Sequence, residues 1–215
     1  MPNQPRRETP LVAGPAGQIE TLIDRPESRE DADVLLVCHP HPAHGGALTN
    51  KVAYTLARAG VLADMTAVRF NFRGVGKSEG AYDEGRGELA DTLAMIDWIR
   101  TSMAPQRLML SGFSFGSAMV VAASHERACD QLILVAPPVG RILDPTTRIP
   151  GTLATSVVLG GQDELVDAES ALAWCNEQPA GVRVALIETA DHFFHGHLPE
   201  LRELLLAEMR VAESA

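Results

Sequence analysis

The sequence predicts an α/β domain: a mostly parallel sheet with helices on both faces. Short apolar, β-branched runs bounded by turn residues alternate with segments of helical period along nearly the whole chain. Every motif with chemical character directly follows one of the apolar runs, as expected where a parallel sheet presents its carboxyl ends. The length of 215 residues suits one core of α/β size, so residues 1–215 are read as a single domain, with about the first ten, rich in proline, loosely held.

In order, "QIETLID" (18–24) alternates as an antiparallel edge strand, and "VLLVC" (34–38) is a buried strand followed by a helix over 50–60. "MTAVRFNF" (65–72) is the next strand, and Leu89, Leu93 and Ile96 then mark one face of a helix over 86–100. "LMLSGF" (108–113) leads into a helix over 116–126, and "LILVAP" (132–137) follows as a strand. "SVVLG" (156–160) precedes a helix over 167–177, and "VRVALIE" (182–188) precedes a closing helix over 199–211, with Leu201, Leu205 and Met209 on one face. Strict alternation implies right-handed crossovers and strands buried on both faces.

A net charge of −10, with no basic cluster beyond Arg6-Arg7, argues against nucleic acid or an anionic membrane as partner. Cys38, Cys129 and Cys175 lie far apart without C-x-x-C spacing, which fits neither a disulfide framework nor a structural zinc site and fits a reducing cytoplasm. "MPNQPRRETP" has no apolar stretch behind its arginines, and no run approaches the ~18 apolar residues of a membrane span. A soluble, unprocessed, cytoplasmic chain is expected.

Two segments match G-x-S-x-G: "GKSEG" (76–80) and "GFSFG" (112–116). The first, within "NFRGVGKSEG", also ends like a phosphate-binding loop, but Asn71 stands where the first glycine belongs, and the glycine-broken, acidic "EGAYDEGRG" follows in place of a helix. It equally fails as a nucleophile turn, which must pass directly from strand to helix, so Gly74, Gly76 and Gly80 are read as a tight turn with Arg73 and Lys77 solvated or paired to nearby acids. Ser114 has the missing context, with "LMLSGF" leading in and "FGSAMVVAASHE" leading out.

A serine hydroxyl is a poor nucleophile near neutrality and needs a base, which needs an acid to hold its tautomer. Asp163 in "VVLGGQDELV" and His192 in "VALIETADHFFHG" follow the next strands. Glu164 or Asp144 could replace Asp163, and His195 or His197 could replace His192; Asp163 and His192 lie nearest their strand ends and are preferred. Neither His39, His41 and His44 nor His192, His195 and His197 show the i, i+4 helical spacing of a zinc motif, so neither metal nor cofactor is expected.

With "CHPHPAHGG", "RFNFRGVGKSEG", "GFSFGS", "GQDELV" and "ADHFFHG" in one order, the chain resembles the α/β hydrolases from about residue 18 to 210, and within them a family of small bacterial serine hydrolases without a lid. The resemblance implies a triad of Ser114, Asp163 and His192, in the family's chain order. It implies no particular substrate. An oxyanion hole normally uses the amide after the nucleophile, here Phe115, and one from the loop after an early strand. Pro40 and Pro42 carry no N–H, which leaves the backbone of His41. Only residues 138–155 separate two strands where a cap is commonly inserted, too few for a substantial cap domain, so a carboxylesterase acting on small acyl substrates is expected. A thioesterase or peptidase would use the same triad, and a non-catalytic binding protein the same scaffold.

Overall fold

The computed structural model describes residues 6–27, 33–179 and 181–211. Strands β1 (Arg6–Glu8) and β2 (Leu11–Gly14) run antiparallel to β3 (Gly17–Arg25) in one continuous register, Arg6 opposite Arg25 and Leu11 opposite Glu20. Of the residues expected to be loosely held, 1–5 lie outside the described residues and Arg6–Glu8 is paired with β3. Pro10 is tolerated because only its carbonyl is used, accepting from the Thr21 N–H at 3.1 Å. Val12 and Ile19 bury one face, and the Arg7 guanidinium meets Asp24 at 2.7 Å.

The remaining elements are β4 (Val34–Cys38), α1 (Lys51–Leu62), β5 (Thr66–Phe70), α2 (Arg86–Ser102), β6 (Leu108–Phe113), α3 (Phe115–Glu126), β7 (Gln131–Val135), β8 (Ala154–Gly160), α4 (Ala168–Asn176), β9 (Val182–Ile187) and α5 (Leu198–Val211). The sheet runs β1-β3-β5-β4-β6-β7-β8-β9, with β2 beside β3. From β5 to β9 every pair is parallel, while β3 pairs antiparallel with β5. Period-two alternation sorts the side chains into two layers. Leu36 and Cys38 of β4 join the core beneath α2, α3 and α4, whereas Leu35 and Val37 join the core beneath α1 and α5.

The β7–β8 connection departs from strict alternation, since residues 136–153 hold no helix. The segment instead buries Val139, Leu143, Ile149 and Leu153. It is tied down on α4 and the residues just after it: the Trp174 indole N–H donates to the Thr147 carbonyl at 2.9 Å, and the Ile149 N–H donates to Gln178 Oε1 at 2.8 Å. There is no cap over the carboxyl end of the sheet among the described residues. No helix among them is long and apolar enough to cross a membrane.

Candidate functional site

Strand β6 turns into α3 at Ser114, whose φ of 53° and ψ of −117° place a non-glycine residue in a left-handed conformation costing about 1–3 kcal/mol. The turn is that tight because its flanks touch. A Cβ on Gly112 would strike the backbone of Gly116, and one on Gly116 would strike the Cys38 carbonyl and come within 2.8 Å of the His39 oxygen. The Ser114 N–H donates to the Val135 carbonyl at 2.8 Å, and Ser117 Oγ donates to the Gly112 and Val135 carbonyls at 2.7 and 3.0 Å. The Ser114 hydroxyl does not cap α3.

Asp163 sits in the loop after β8. Its Oδ1 accepts the N–H groups of Leu165 and Val166 at 2.8 and 2.7 Å, while Oδ2 lies 2.7 Å from His192 Nδ1. A carboxylate oxygen there fixes the proton on Nδ1 and leaves Nε2 with its lone pair. The buried imidazole lies against the Phe113 ring at 5.0 Å and meets Phe193 edge-on at 5.1 Å. Phe113 immediately precedes Ser114, so the imidazole is carried towards the turn at Ser114. Ser114 Oγ makes no hydrogen bond among the described residues, and the Asp163–His192 pair reaches the turn through Phe113 without a direct bond to Ser114. Such contacts commonly tighten only with substrate bound.

The competing candidates go elsewhere. Glu164 accepts the backbone N–H of His192 at 3.3 Å rather than touching the ring, and Asp144 is taken up by Thr146 at 2.7 Å. His195 pairs with Asp191 at 2.7 Å, and His197 with Glu200 at 3.1 Å and Thr189 at 3.2 Å.

On the opposite side of Ser114, the loop after β4 brings His41 against the helix start, its ring 5.0 Å from that of Phe115 and stacked on His44 at 4.3 Å. The backbone N–H groups of His41 and Phe115 have no acceptor among the described residues. His41 Nδ1 accepts from the Ala43 N–H at 3.2 Å, so the neutral ring carries its proton on Nε2, 3.1 Å from the Tyr82 hydroxyl. Burial lowers the His41 pKa, and the neighbouring His44 charge lowers it further. His39 is fully enclosed: Nδ1 donates to the Pro40 carbonyl at 2.6 Å and Nε2 accepts from the Phe72 N–H at 3.1 Å. Burial pushes its pKa down to about 4 and keeps it neutral, with no free nitrogen for a ligand.

Ser78 is buried in the turn after β5, its Oγ donating to the Asn71 carbonyl at 2.6 Å and accepting from the Glu20 N–H at 2.9 Å. Asn71 in turn accepts from the Leu48 N–H at 2.8 Å, and Arg73 makes a two-pronged ion pair with the buried Asp91 at 2.7 and 3.0 Å. Residues 71–80 therefore buttress the loop after β4 from beneath. Tyr82 and Phe193 line the two sides of the turn. Phe193 lies within "ADHFFHG", whereas Tyr82 stands outside the motifs and has no signal beyond being an aromatic residue in a polar, glycine-containing loop.

Residues 33–154 match the family described as alpha/beta hydrolase fold. An uncharacterized protein of Rickettsia prowazekii is 33% identical over 84% of this chain and 79% of its own. Among solved structures, an alpha-beta serine hydrolase homologue from Coxiella burnetii is 42% identical, with a TM-score of 0.88 over 93% of this chain and 96% of that one. A Xanthomonas campestris protein described as an a/b serine hydrolase without lid is 34% identical, with a TM-score of 0.89 over 95% and 94%. With the sheet order, the strained serine between strand and helix and the uncapped carboxyl end already in place, these matches show that the chain belongs to the α/β-hydrolase fold family.

Proposed function

We propose that this protein is a serine hydrolase of the carboxylesterase type, acting on esters of small acyl groups. Ser114 Oγ attacks the acyl carbonyl as His192 Nε2 takes its proton, and the oxyanion that forms is held by the N–H groups of Phe115 and His41. Asp163 orients the imidazole and stabilises its charged form without itself taking the proton. His192 returns the proton to the leaving oxygen, and the acyl-enzyme is then hydrolysed by water that His192 deprotonates. The observation that carries this reading is the 2.7 Å Asp163–His192 contact, buried beside a strained serine that spends its hydroxyl on no structural bond.

The three free cysteines suit a reducing cytoplasm. The test is a fluorophosphonate probe with p-nitrophenyl acetate. Labelling and turnover are expected in the native protein and should vanish in Ser114→Ala. Labelling that persists in Ser114→Ala would overturn the assignment.

A further inference from the structure

We propose that the loops carrying Asp163 and His192 form an apolar subsite for the leaving alcohol, with Phe193 as its main specificity determinant, so that the preferred esters are those of uncharged, apolar or aromatic alcohols. This rests on the serine-hydrolase reading above and names its substrate class. Large apolar side chains seldom stay exposed without a role when they gather in one place. Here Ile142, Leu165 and Phe193 remain 42%, 42% and 39% exposed on the loops after β7, β8 and β9, three strands that are neighbours in the sheet. The Arg141 guanidinium donates to the Leu165 carbonyl at 2.7 Å and joins the first two loops. Phe193 packs edge-on against His192 at 5.1 Å, and Asp163, two residues before Leu165, holds the same imidazole at 2.7 Å.

The reaction decides which part of the ester lies there. When the tetrahedral intermediate collapses, the bond between the acyl carbon and the leaving oxygen breaks, and that oxygen receives the proton carried by His192 Nε2. The leaving oxygen must therefore come within hydrogen-bond reach of Nε2, and whatever it bears emerges on the His192 side of the turn, against the exposed face of Phe193. The acyl group and oxyanion face the other wall, where His41 and Tyr82 sit. Glu164, whose carboxylate accepts from the His192 backbone, adds a negative charge at this rim, which opposes a leaving group bearing phosphates or carboxylates.

The test compares benzyl acetate with methyl acetate and glycerol monoacetate. All three share one acyl group, and benzyl alcohol and methanol are nearly equal in acidity, so the ratio of kcat/KM reports contacts to the alcohol rather than chemistry. The native protein should favour benzyl over methyl acetate by about tenfold or more, with glycerol monoacetate no better than methyl acetate. Phe193→Ala, with Leu165→Gln as a second variant on another loop, should bring the benzyl-to-methyl ratio to within about threefold of unity. Any loosening of His192 affects both acetates alike and cancels in the ratio, provided that each variant melts as a folded protein. A flat ratio in the native protein, or a high one unchanged in both variants, overturns the subsite while leaving the hydrolase reading standing. Failure to hydrolyse any acetate overturns the hydrolase reading itself, and the subsite with it.

Discussion

Ser78 and Ser114 share a local pattern and differ in what their hydroxyls do. Ser78 Oγ both donates and accepts inside the protein, and Ser114 Oγ does neither. Ser78→Ala should therefore keep fluorophosphonate labelling and lose about 1–3 kcal/mol of stability in urea denaturation, because the Glu20 N–H and the Asn71 carbonyl lose their partner. A variant as stable as the native protein would show that water replaces the hydroxyl without cost. His41 separates backbone from side chain. Its φ of −51° and ψ of 121° suit a proline at that position and another after it, so His41→Pro deletes the amide hydrogen with little change of path. Turnover of p-nitrophenyl acetate should fall about 10²–10³-fold in His41→Pro, and by about tenfold or less in His41→Ala, where the N–H survives. Equal losses would mean that the imidazole, not the amide, is what matters.

Strands and helices were legible in the sequence to within about two residues at most ends because each carries its own period. Ser114, Asp163 and His192 could be singled out as candidates because strand ends in a parallel sheet are where chemistry gathers, and the structure brings Asp163 and His192 into contact. What was not legible depends on partners distant in the chain. The β1 and β2 segments are stabilised by β3 and by Asp24, which a proline-rich composition conceals. The bare β7–β8 connection is held by Trp174 of a later helix and by Gln178 just beyond it. His39 reads as one of several clustered loop histidines, yet it joins the loop after β4 to the one after β5 through Phe72. That joint has a pH signature. With the folded pKa near 4 against an ordinary value of 6.5, the unfolded chain binds the proton more readily, so the contribution is fully present above about pH 6.5 and is lost as pH falls towards 4. The shift corresponds to roughly 3 kcal/mol. The stability difference between the native protein and His39→Gln, whose amide oxygen can still accept from Phe72, should narrow by that order between those pH values. A difference that stays constant would remove His39 as the cause.

At the scale of the molecule, the site is an open surface rather than a tunnel. Residues 136–153 lie along α4 and leave the carboxyl end of the sheet uncovered, so an extended acyl chain finds no walls to replace its water. Turnover of p-nitrophenyl esters should be highest for acetate or butyrate and decline towards longer chains. A rate that climbs steadily to palmitate would show that an apolar channel exists despite the missing cap. The three thiols are equally a property of the whole: burial raises Cys38, Cys129 and Cys175 to about 12, so none competes with Ser114 for electrophilic probes near neutral pH.

The order of strands also decides the order in which the molecule fails on heating. Ser114 hangs from β6 in the middle of the sheet, whereas His192 hangs from β9, which among the described residues has a hydrogen-bonded neighbour on β8 alone and leaves Val184 and Leu186 exposed. Three strand spacings, about 14 Å, lie between the two attachment points. Edge strands open locally at a lower free energy than central ones, so His192 should detach while the turn at Ser114 is still intact. Activity assayed during a thermal ramp should then disappear several degrees before the circular dichroism transition and return on cooling from that interval. Coincident midpoints would instead make β9 part of a single cooperative unit with β6.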